Sequence, residues 1–237
     1  MAVAHNPNQN GILAALSVSD YKRVSATLEL VPMELSTVLY EVGHPMKHAY
    51  FPVDCIVSLL NTTENGASAE VAMVGREGMI GIPIVMGGDT TPSRALIQCN
   101  GYAFRMPADT LKQEFRRSGS LQERLLRYTQ AMITQISQTA VCNRHHSLEQ
   151  QLCRWLLLSL DRLPSNVVNM TQELIANMLG VRREGVTEAA GKLQERGAIQ
   201  YSRGRITILS RAMLEELACE CYSVVKSESD RLLRNHP

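Results

Sequence analysis

The segment from Gly180 to Ile199 combines arginines and glutamates with apolar residues at helical spacing. Its apolar positions recur every three or four residues and predict one buried helix face: Val186, Ala189, Ala190 and Leu193. The opposite face then presents Arg183, Glu184, Thr187 and Glu188. A guanidinium can donate two parallel hydrogen bonds to guanine O6 and N7, and a glutamate can accept one from cytosine N4. The exposed face therefore has the chemistry needed to contact base edges in a DNA major groove.

The residues before this face predict the bend that would expose it. Thr171 is a suitable N-cap, and Glu173 falls in the first turn of the helix that Thr171 begins. Ala176 supplies a small residue where two helices cross, and Gly180, four residues later, permits a tight turn between them. These features predict a helix-turn-helix whose second helix carries the charged face.

A basic hairpin is predicted immediately after the second helix. The stretch GAIQYSRGRITIL gives two short strands around Arg203, Gly204 and Arg205, and its arginines could contact phosphate. Between Thr171 and Ile208 there are six Lys or Arg residues against four Glu. This excess of positive charge is local, because the whole chain has a formal net charge of only +1.

The elements that would position this motif begin with a β-rich region from Val38 to Met106. Short apolar and β-branched runs are separated by Gly, Pro and Asn at about 10-residue intervals, which is typical of small antiparallel sandwiches and barrels. The segment Glu64–Ala67 predicts a hairpin, and a second Asn-Gly pair at Asn100 and Gly101 repeats the pattern. Residues 11 to 28 predict one or two short amphipathic helices before this region.

A long helix is predicted from Ala108 to Asn143, which contains no proline and only Gly119 as a helix breaker. Unbroken, it would span on the order of 50 Å. One stripe follows coiled-coil steps of four and three, and we assign the contact between two copies of the chain to it: Leu121, Leu125, Tyr128, Met132, Gln135 and Thr139. A second apolar stripe runs beside it: Leu126, Thr129, Ile133, Ile136 and Ala140. One of the two stripes could pack on the β-rich region while the other meets a second copy of the chain. A helix buried within a monomer would also suit two stripes.

Further elements surround the helix-turn-helix. An amphipathic helix ends before Pro164 and has the apolar side Leu148, Leu152, Trp155, Leu156 and Leu160. A boundary near residues 143 to 147 separates it from the long helix. A short strand is predicted from Val167 to Met170, and a last helix from Ser210 to about Leu233.

The six cysteines stand at positions 55, 99, 142, 153, 219 and 221, without a C-x-x-C pair or the dense spacing of disulfide-rich domains. We therefore predict buried thiols in a reducing, cytoplasmic compartment. Cys219 and Cys221, two positions apart in one predicted helix, should point in different directions. His145 and His146 adjoin Cys142, but this is a weak metal signal. We predict no metal site and no cofactor.

A membrane partner is not expected. No segment of the sequence reaches the roughly 20 apolar residues that a helix needs to cross a bilayer. The stretch MAVAHNPNQNGILAALS also lacks a basic region followed by an apolar one, which a secretory leader would show.

The order of these parts resembles the Crp/Fnr family of bacterial transcription regulators, most sharply in TQELIANMLGVRREGVTEAAGKLQERGAI. The resemblance implies an α+β fold: an N-terminal antiparallel β-roll of the cyclic-nucleotide-binding type, a long dimerisation helix and a C-terminal winged helix-turn-helix. The expected boundaries are residues 1–107, 108–146 and 147–237. It also implies a homodimer whose recognition helices address half-sites of a palindromic operator one DNA turn apart, with RNA polymerase as a further partner.

The resemblance assigns roles to single positions. Arg183 and Glu184 match the pair that reads bases at the start of the family's recognition helix, and Thr187 and Glu188 share that face. The positions expected to contact phosphate are Thr171, Gln172, Arg182, Arg203 and Arg205. Two positions depart from the family pattern: Arg182 replaces the usual serine cap, and Glu188 replaces a base-reading arginine. The second departure leaves the operator sequence undetermined.

The expected effector pocket corresponds to GMIGIPIVMGGDTTPSRALI, with the candidate residues Gly81, Ile82, Ser93 and Arg94. Members that bind cyclic AMP use a carboxylate after the glycine for the ribose and an arginine for the cyclic phosphate. Here Ile82 replaces the carboxylate and Arg94 is displaced by about one position. A buried hydroxyl without a partner costs roughly 1–3 kcal/mol, so we predict that cyclic-nucleotide binding has been lost and that the effector is unknown. The cysteine cluster of oxygen-sensing members is absent, whereas His44 and His48 leave a haem role open.

The leading hypothesis is a sequence-specific DNA-binding transcription regulator that acts as a homodimer. The alternative is a cyclic-nucleotide-responsive signalling module whose C-terminal domain is an interaction surface. An enzyme is not expected, because the sequence shows no Ser-His-Asp arrangement, paired carboxylates in a cleft, P-loop or zinc-ligand spacing.

Overall fold

The structure is a computed structural model and describes residues 5–233. The chain begins with a short 3-10 helix, Pro7–Gln9, followed by α1 (Gly11–Ala14) and α2 (Val18–Ser25), which confirms the predicted N-terminal helices. The buried side chain of Asn10 caps α1. Its amide also donates to the backbone oxygens of Pro52 and Gly78 at 3.0 and 2.8 Å, which fastens these helices to the sheet region.

The β region contains a short helix, α3 (Pro83–Met86), and the strands β1 (Glu29–Met33), β2 (Val38–Tyr40), β3 (His48–Pro52), β4 (Ile56–Thr62), β5 (Ser68–Val74), β6 (Arg94–Cys99) and β7 (Gly101–Pro107). The strands form antiparallel sheets in the orders β1-β7-β3 and β2-β6-β4-β5. The two sheets share a core that includes Phe51, Met79 and Ile97. The antiparallel β-roll expected from the sequence is therefore confirmed.

The two Asn-Gly pairs have different roles. Gly66 has a φ of +85° between β4 and β5, so the first pair forms the predicted hairpin. The prediction for the second pair is wrong, because β6 and β7 lie in different sheets and Asn100 carries the chain between them. A Cβ on Gly101 would come within 2.5 Å of Oδ1 of Asp54, so glycine is needed there for close approach and not for a turn.

The predicted helix from Ala108 to Asn143 is two helices, α4 (Ala108–Arg116) and α5 (Ser120–His145). Ser118 has a φ of +56° at the break. Asp20 accepts hydrogen bonds from the backbone N–H and the hydroxyl of Ser120, so a carboxylate of α2 satisfies the first turn of α5. With 26 residues, α5 is about 39 Å long, shorter than the unbroken helix expected.

The stripe of α5 that we assigned to the dimer contact is covered by the chain's own fold, and that assignment is wrong. Leu121, Leu125 and Tyr128 are at most 2% exposed and belong to the β-roll core. The rest of the stripe follows the same face: Met132 is half-buried, Gln135 donates to the backbone oxygen of Met73 at 3.0 Å, and Thr139 is buried. The physical reason is that α5 packs across β5, and its most continuous apolar stripe covers that strand. The neighbouring stripe remains exposed.

The C-terminal part consists of α6 (Leu148–Arg162), β8 (Val167–Asn169), α7 (Gln172–Leu179), α8 (Arg183–Glu195), β9 (Ile199–Ser202), β10 (Arg205–Ile208), α9 (Arg211–Leu217) and α10 (Glu220–Leu233). Ser147 caps α6 directly after α5 ends, which confirms the predicted position of that helix boundary. The core around Trp155 also contains Ile56, Leu60 and Met73 of the β-roll. The β-roll and the C-terminal part therefore share a hydrophobic core.

The predicted last helix is broken at Ala218, which has extended backbone with φ −72° and ψ 155°. α9 packs on α6, whereas α10 packs along α5, where the side-chain amide of Gln130 donates to Glu228 at 3.3 Å. Because these packing partners differ, one continuous helix could not satisfy both. None of the helices within residues 5–233 combines the length and apolar character that a membrane crossing requires.

Candidate nucleic-acid interface

The first helix of the motif, α7, is held as the sequence predicts. The hydroxyl oxygen of Thr171 accepts a hydrogen bond from the backbone N–H of Leu174 at 3.3 Å and caps the helix. Ile175, Ala176 and Leu179 are at most 5% exposed. The helix ends in Gly180, whose φ of +66° gives the left-handed turn into α8.

The second helix, α8, is anchored by the face that was predicted to be buried. Val186, Ala189, Ala190 and Leu193 are at most 5% exposed. On the opposite face the four candidate base-reading residues are exposed: Arg183, Glu184, Thr187 and Glu188. The burial pattern predicted for this helix is confirmed, and the base-reading role of its exposed residues stays a prediction.

Gly185 in α8 has a packing role that the sequence analysis missed. A Cβ at this position would lie 2.8 Å from Cδ2 of Leu148. A side chain there would displace the Leu148 methyl group that packs against α8. The signal in the sequence was a glycine inside a predicted helix, but its partner in α6 could not be read from the sequence.

Polar contacts pre-organise part of the exposed face. The hydroxyl of Thr187 donates to Oε1 of Gln172 at 2.8 Å, which ties the start of α7 to α8. Nζ of Lys192 lies 2.7 Å from Oε1 of Glu188 one helical turn away. This pairing lowers the pKa of Glu188 and raises that of Lys192. The carboxylate of Glu188 must leave its lysine partner, or share it, before it can accept from a base.

Arg183 and Arg182 lie at the start of α8 without such partners. Within residues 5–233 neither guanidinium forms an ion pair with a carboxylate. Arg182 is the N-cap residue of α8, and its side chain makes no capping hydrogen bond, which the serine expected at this position would make. Both arginines are exposed, and their donors are available for a ligand.

The predicted hairpin is present as a wing beside the two helices. β9 and β10 pair antiparallel, with Arg205 opposite Ser202, and β8 pairs with the other edge of β10. Arg203 and Gly204 form the turn with φ values of +49° and +78°, as expected for a two-residue hairpin loop. The side chains of Arg203 and Arg205 are exposed.

The wing and the helices enclose a groove that brings many of the candidate residues together. Its lining consists of Thr171, Gln172, Glu173, Arg183, Tyr201, Arg203 and Gly204. Burial raises the pKa of Tyr201, whose hydroxyl donates to the backbone oxygen of Met170 at 3.3 Å and supports the floor of the groove. Two arginines and two polar side chains from α7, α8 and the wing therefore share one surface.

The expected effector residues are only partly together. Gly81, Ile82 and Ser93 line an apolar cavity of about 210 Å³ between the β-roll and α5, together with Met132 and Ile133. Arg94 does not line this cavity: its Nη2 lies 3.3 Å from Oε1 of Glu41. Its inclusion among the pocket residues was therefore wrong, because the side chain is directed to a carboxylate on a neighbouring strand edge.

A helix-turn-helix with a basic wing, joined to a β-roll by a long helix, defines the class as a winged helix-turn-helix protein. Residues 150–217 match the model of the Crp-like helix-turn-helix domain. The chain therefore carries a Crp-like helix-turn-helix domain, and its fold is that of solved Crp/Fnr-family structures, in agreement with the resemblance seen in the sequence. A search of curated proteins found no match to the chain.

Solved structures with this fold cover most of the chain. A transcriptional regulator of the Crp/Fnr family from Eubacterium rectale has a TM-score of 0.68 and 19% identity, over 89% of this chain and 98% of that one. FixK2 from Bradyrhizobium japonicum has a TM-score of 0.67 and 15% identity, over 81% of this chain and 98% of that one. CLP, a c-di-GMP-responsive global regulator from Xanthomonas campestris, has a TM-score of 0.62 and 14% identity, over 82% and 100%. At these identities the likeness establishes the fold.

Proposed function

We propose that the protein binds double-stranded DNA sequence-specifically as a homodimer and thereby regulates transcription. The observation that carries this proposal is the exposed charged face of α8 beside the arginines of the wing. In a winged helix-turn-helix, the second helix enters the major groove with its N-terminal residues toward the bases. Arg183 and Glu184 occupy the first turn of α8, and nothing in residues 5–233 covers their side chains.

The interface residues divide into two groups. We assign base readout to Arg183, Glu184, Thr187 and Glu188, because they project from the exposed face of one helix. We assign phosphate contact to Thr171, Gln172, Arg182, Arg203 and Arg205, which flank that face on α7, the helix start and the wing. The contacts to phosphate would set the register of the protein on the duplex, and the contacts to bases would set its sequence preference.

A second copy of the chain would cover the exposed stripe of α5. Leu126, Ile133 and Ile136 are 57%, 59% and 40% exposed, although they lie on a long helix whose neighbouring stripe packs within the protomer. Thr129 and Ala140 continue the same stripe. Burial of such side chains is favourable by about 25 cal/mol per Å². A symmetric pair would present two α8 helices to half-sites about 34 Å apart.

The β-roll is placed to influence the DNA-binding part through direct packing. A Cβ on Gly180, in the turn between α7 and α8, would lie 3.2 Å from the Cβ of Ala69 in β5. The side-chain amide of Gln98 on β6 also approaches Sδ of Met170 at 3.7 Å. We therefore propose residues 1–107 as a sensor, 108–146 as the connecting and dimerising part, and 147–237 as the DNA-binding part.

Loss of cyclic-nucleotide binding is supported by the cavity beside Ile82. Its volume of about 210 Å³ is below the roughly 300–1,000 Å³ typical of small-molecule sites. No arginine, lysine or carboxylate is among its lining residues. A cyclic phosphate would thus enter an apolar space without a counter-charge. The alternative function, a cyclic-nucleotide-responsive module, requires this cavity to change shape. CLP, which has the same fold, is a c-di-GMP-responsive regulator.

The remaining parts of the proposal concern partners and location. A transcription regulator of this type would act in the cytoplasm and contact RNA polymerase. We expect the protein to act by binding DNA and not by catalysing a reaction, as the regulators that share its fold suggest.

Two measurements test the proposal. Selection of bound fragments from random duplexes should yield a palindrome with half-sites about one helical turn apart. Arg183→Ala should then reduce discrimination between the selected and a scrambled duplex by about 1–3 kcal/mol. Arg203→Ala should weaken binding to both duplexes alike and lower the slope of log affinity against log salt by about 1 per copy.

The matched control is Arg76→Ala, which removes an exposed arginine from the β-roll. It should change neither discrimination nor the salt slope. Equal loss of discrimination in the Arg183 and Arg203 variants would refute the division of roles. Failure to select any sequence above background would refute sequence-specific binding.

A further inference from the structure

Four potential metal ligands meet at the end of α5 although the sequence places them in two distant segments. Cys142 lies in the last turn of α5 and His146 is its C-cap residue, whereas Cys219 directly precedes α10 and Cys221 is the second residue of α10. Their sulphur and imidazole nitrogen atoms all lie within 4.8 Å of one another. Cys142, Cys219 and Cys221 are at most 5% exposed and form a small core cluster of their own.

The backbone explains why the four side chains converge. Cys142 and His146 are four residues apart at the end of one helix, so they share its face. The extended residue Ala218 interrupts the predicted last helix just before Cys219. In a continuous helix Cys219 and Cys221 would diverge, but the break allows both thiols to approach α5. Sequence reasoning missed the cluster because it assumed that helix to be unbroken.

The spacing fits tetrahedral coordination. With zinc–sulphur bonds of about 2.3 Å and zinc–nitrogen bonds of about 2.0 Å, tetrahedral ligands lie about 3.5–3.8 Å apart. Sγ of Cys142 and Sγ of Cys219 are 3.5 Å apart. Sγ of Cys221 and Nδ1 of His146 are 3.6 Å apart. The cysteines are free thiols, and a ligand set of three thiolates and one imidazole is a common structural zinc site.

Outer contacts orient the imidazole. Nε2 of His146 lies 3.3 Å from Oε1 of Glu220, which leaves Nδ1 directed to the thiols. A carboxylate on the distal nitrogen of a ligating histidine holds its tautomer and raises its basicity. Glu220 is 72% exposed in its side chain and is therefore not required by the core.

A buried positive charge lies near the cluster. Arg154 is 4% exposed, and its guanidinium donates to the hydroxyl of Thr139 at 3.2 Å. Nε of Arg154 has no hydrogen-bond partner within the part of the chain that the structure describes. Its charge acts on the thiol of Cys142 as well as on Glu70. A dication with three thiolates and a neutral imidazole carries one net negative charge, which this arginine would offset.

We propose that Cys142, His146, Cys219 and Cys221 form a Cys₃His site for a soft divalent cation of the zinc type. The site would join the start of α10 to the end of α5, where Ser147 begins the helix that leads to the DNA-binding part. A bound ion would therefore act as a crosslink that fixes the C-terminal part against α5. This inference does not depend on DNA binding, because metal content is measured without DNA.

The test uses the full chain, purified with reductant and without added chelator. Elemental analysis should find about one zinc per chain, and titration of the metal-free protein with Co²⁺ should give the thiolate charge-transfer and visible bands of a tetrahedral site. Cys142→Ser and Cys219→Ser should lose both signals. Cys99→Ser, a half-buried cysteine in β6, is the matched control and should keep them.

Glu220→Gln provides a variant that should fold whatever the cysteine variants do, because its side chain is exposed. It should bind Co²⁺ about 10- to 100-fold more weakly than the unchanged chain. The proposal is overturned if the reduced, folded chain binds neither zinc nor Co²⁺. It is also overturned if Cys142 and Cys219 are found as a disulfide in metal-free protein that binds no Co²⁺ after reduction, or if Cys99→Ser abolishes the signal as fully as Cys219→Ser.

Discussion

Replacement of Ile133 by glutamate tests which face of α5 joins two copies of the chain. Ile133 is 59% exposed and lies in the middle of the exposed stripe, between Leu126 and Ile136. Leu125 and Tyr128, on the stripe that we first assigned to the dimer, are already buried in the protomer. The two assignments therefore predict different effects for this single change.

The expected effect follows from the surface that a second copy would cover. The exposed part of Ile133 amounts to roughly 100 Å² per copy, worth about 2.5 kcal/mol per copy and about 5 kcal/mol per dimer at 25 cal/mol per Å². A glutamate at the same place loses this term and adds the cost of burying a carboxylate without a partner. We expect the dimer dissociation constant to rise by about three orders of magnitude or more.

Sedimentation equilibrium over a wide concentration range measures that constant, with circular dichroism to show that the fold is retained. Val18→Glu is the matched control: Val18 is 88% exposed at the start of α2 and does not belong to the exposed stripe of α5, so the same change there should leave the constant unaltered. The reasoning is refuted if Ile133→Glu dimerises as tightly as the unchanged chain, or if the unchanged chain stays monomeric at the highest concentration tested.

Three further outcomes are expected. Leu125→Ala, at a fully buried site, should lower the free energy of unfolding by about 2–5 kcal/mol, measured by urea denaturation at a fixed chain concentration; a change below 1 kcal/mol would contradict its place in the core. The hydroxyl of Ser120 and the guanidinium of Arg23 lower the pKa of Asp20 from 3.8 to about 2. The folded value is the lower one, so the stabilisation is present above about pH 4 and is lost as the pH falls toward 2. Asp20→Asn should therefore cost roughly 1–2 kcal/mol at pH 7, after allowance for solvent screening, and little at pH 2; a cost that is independent of pH would argue against the carboxylate. Calorimetry with cyclic AMP and cyclic GMP should show no micromolar binding, because Ile82 stands where a carboxylate would accept from the ribose and no charged side chain lines the cavity to balance a cyclic phosphate; binding at micromolar concentration would favour the alternative function.

Much of the DNA-facing motif could be predicted because it is local. The N-cap at Thr171, the left-handed turn at Gly180 and the anchors from Val186 to Leu193 lie within a few turns of each other. Their capping, turn and periodicity signals depend on neighbours in the sequence, and the structure confirms each of them. The exposed face of α8 followed from the buried one by elimination.

The errors arose where a residue's partner lies far along the chain. Gly119 was noted as a possible breaker, but only Asp20, from α2, shows why α5 begins there. Asn100 and Gly101 have the composition of a hairpin turn, yet the two sheets of the roll determine that the chain crosses between them. At Gly119 and at Asn100–Gly101 the local sequence allows more than one backbone path, and tertiary packing determines which path the chain takes.

The sequence by itself determined the helix-turn-helix, its wing and the β-rich character of the region before α5, since these follow from periodicity and turn chemistry over short distances. Only the tertiary structure decided which stripe of α5 is exposed, because both stripes are apolar and the choice depends on which one covers β5. It alone also brought Cys142 to Cys219 across 77 residues, since the break at Ala218 is set by the different helices on which α9 and α10 pack.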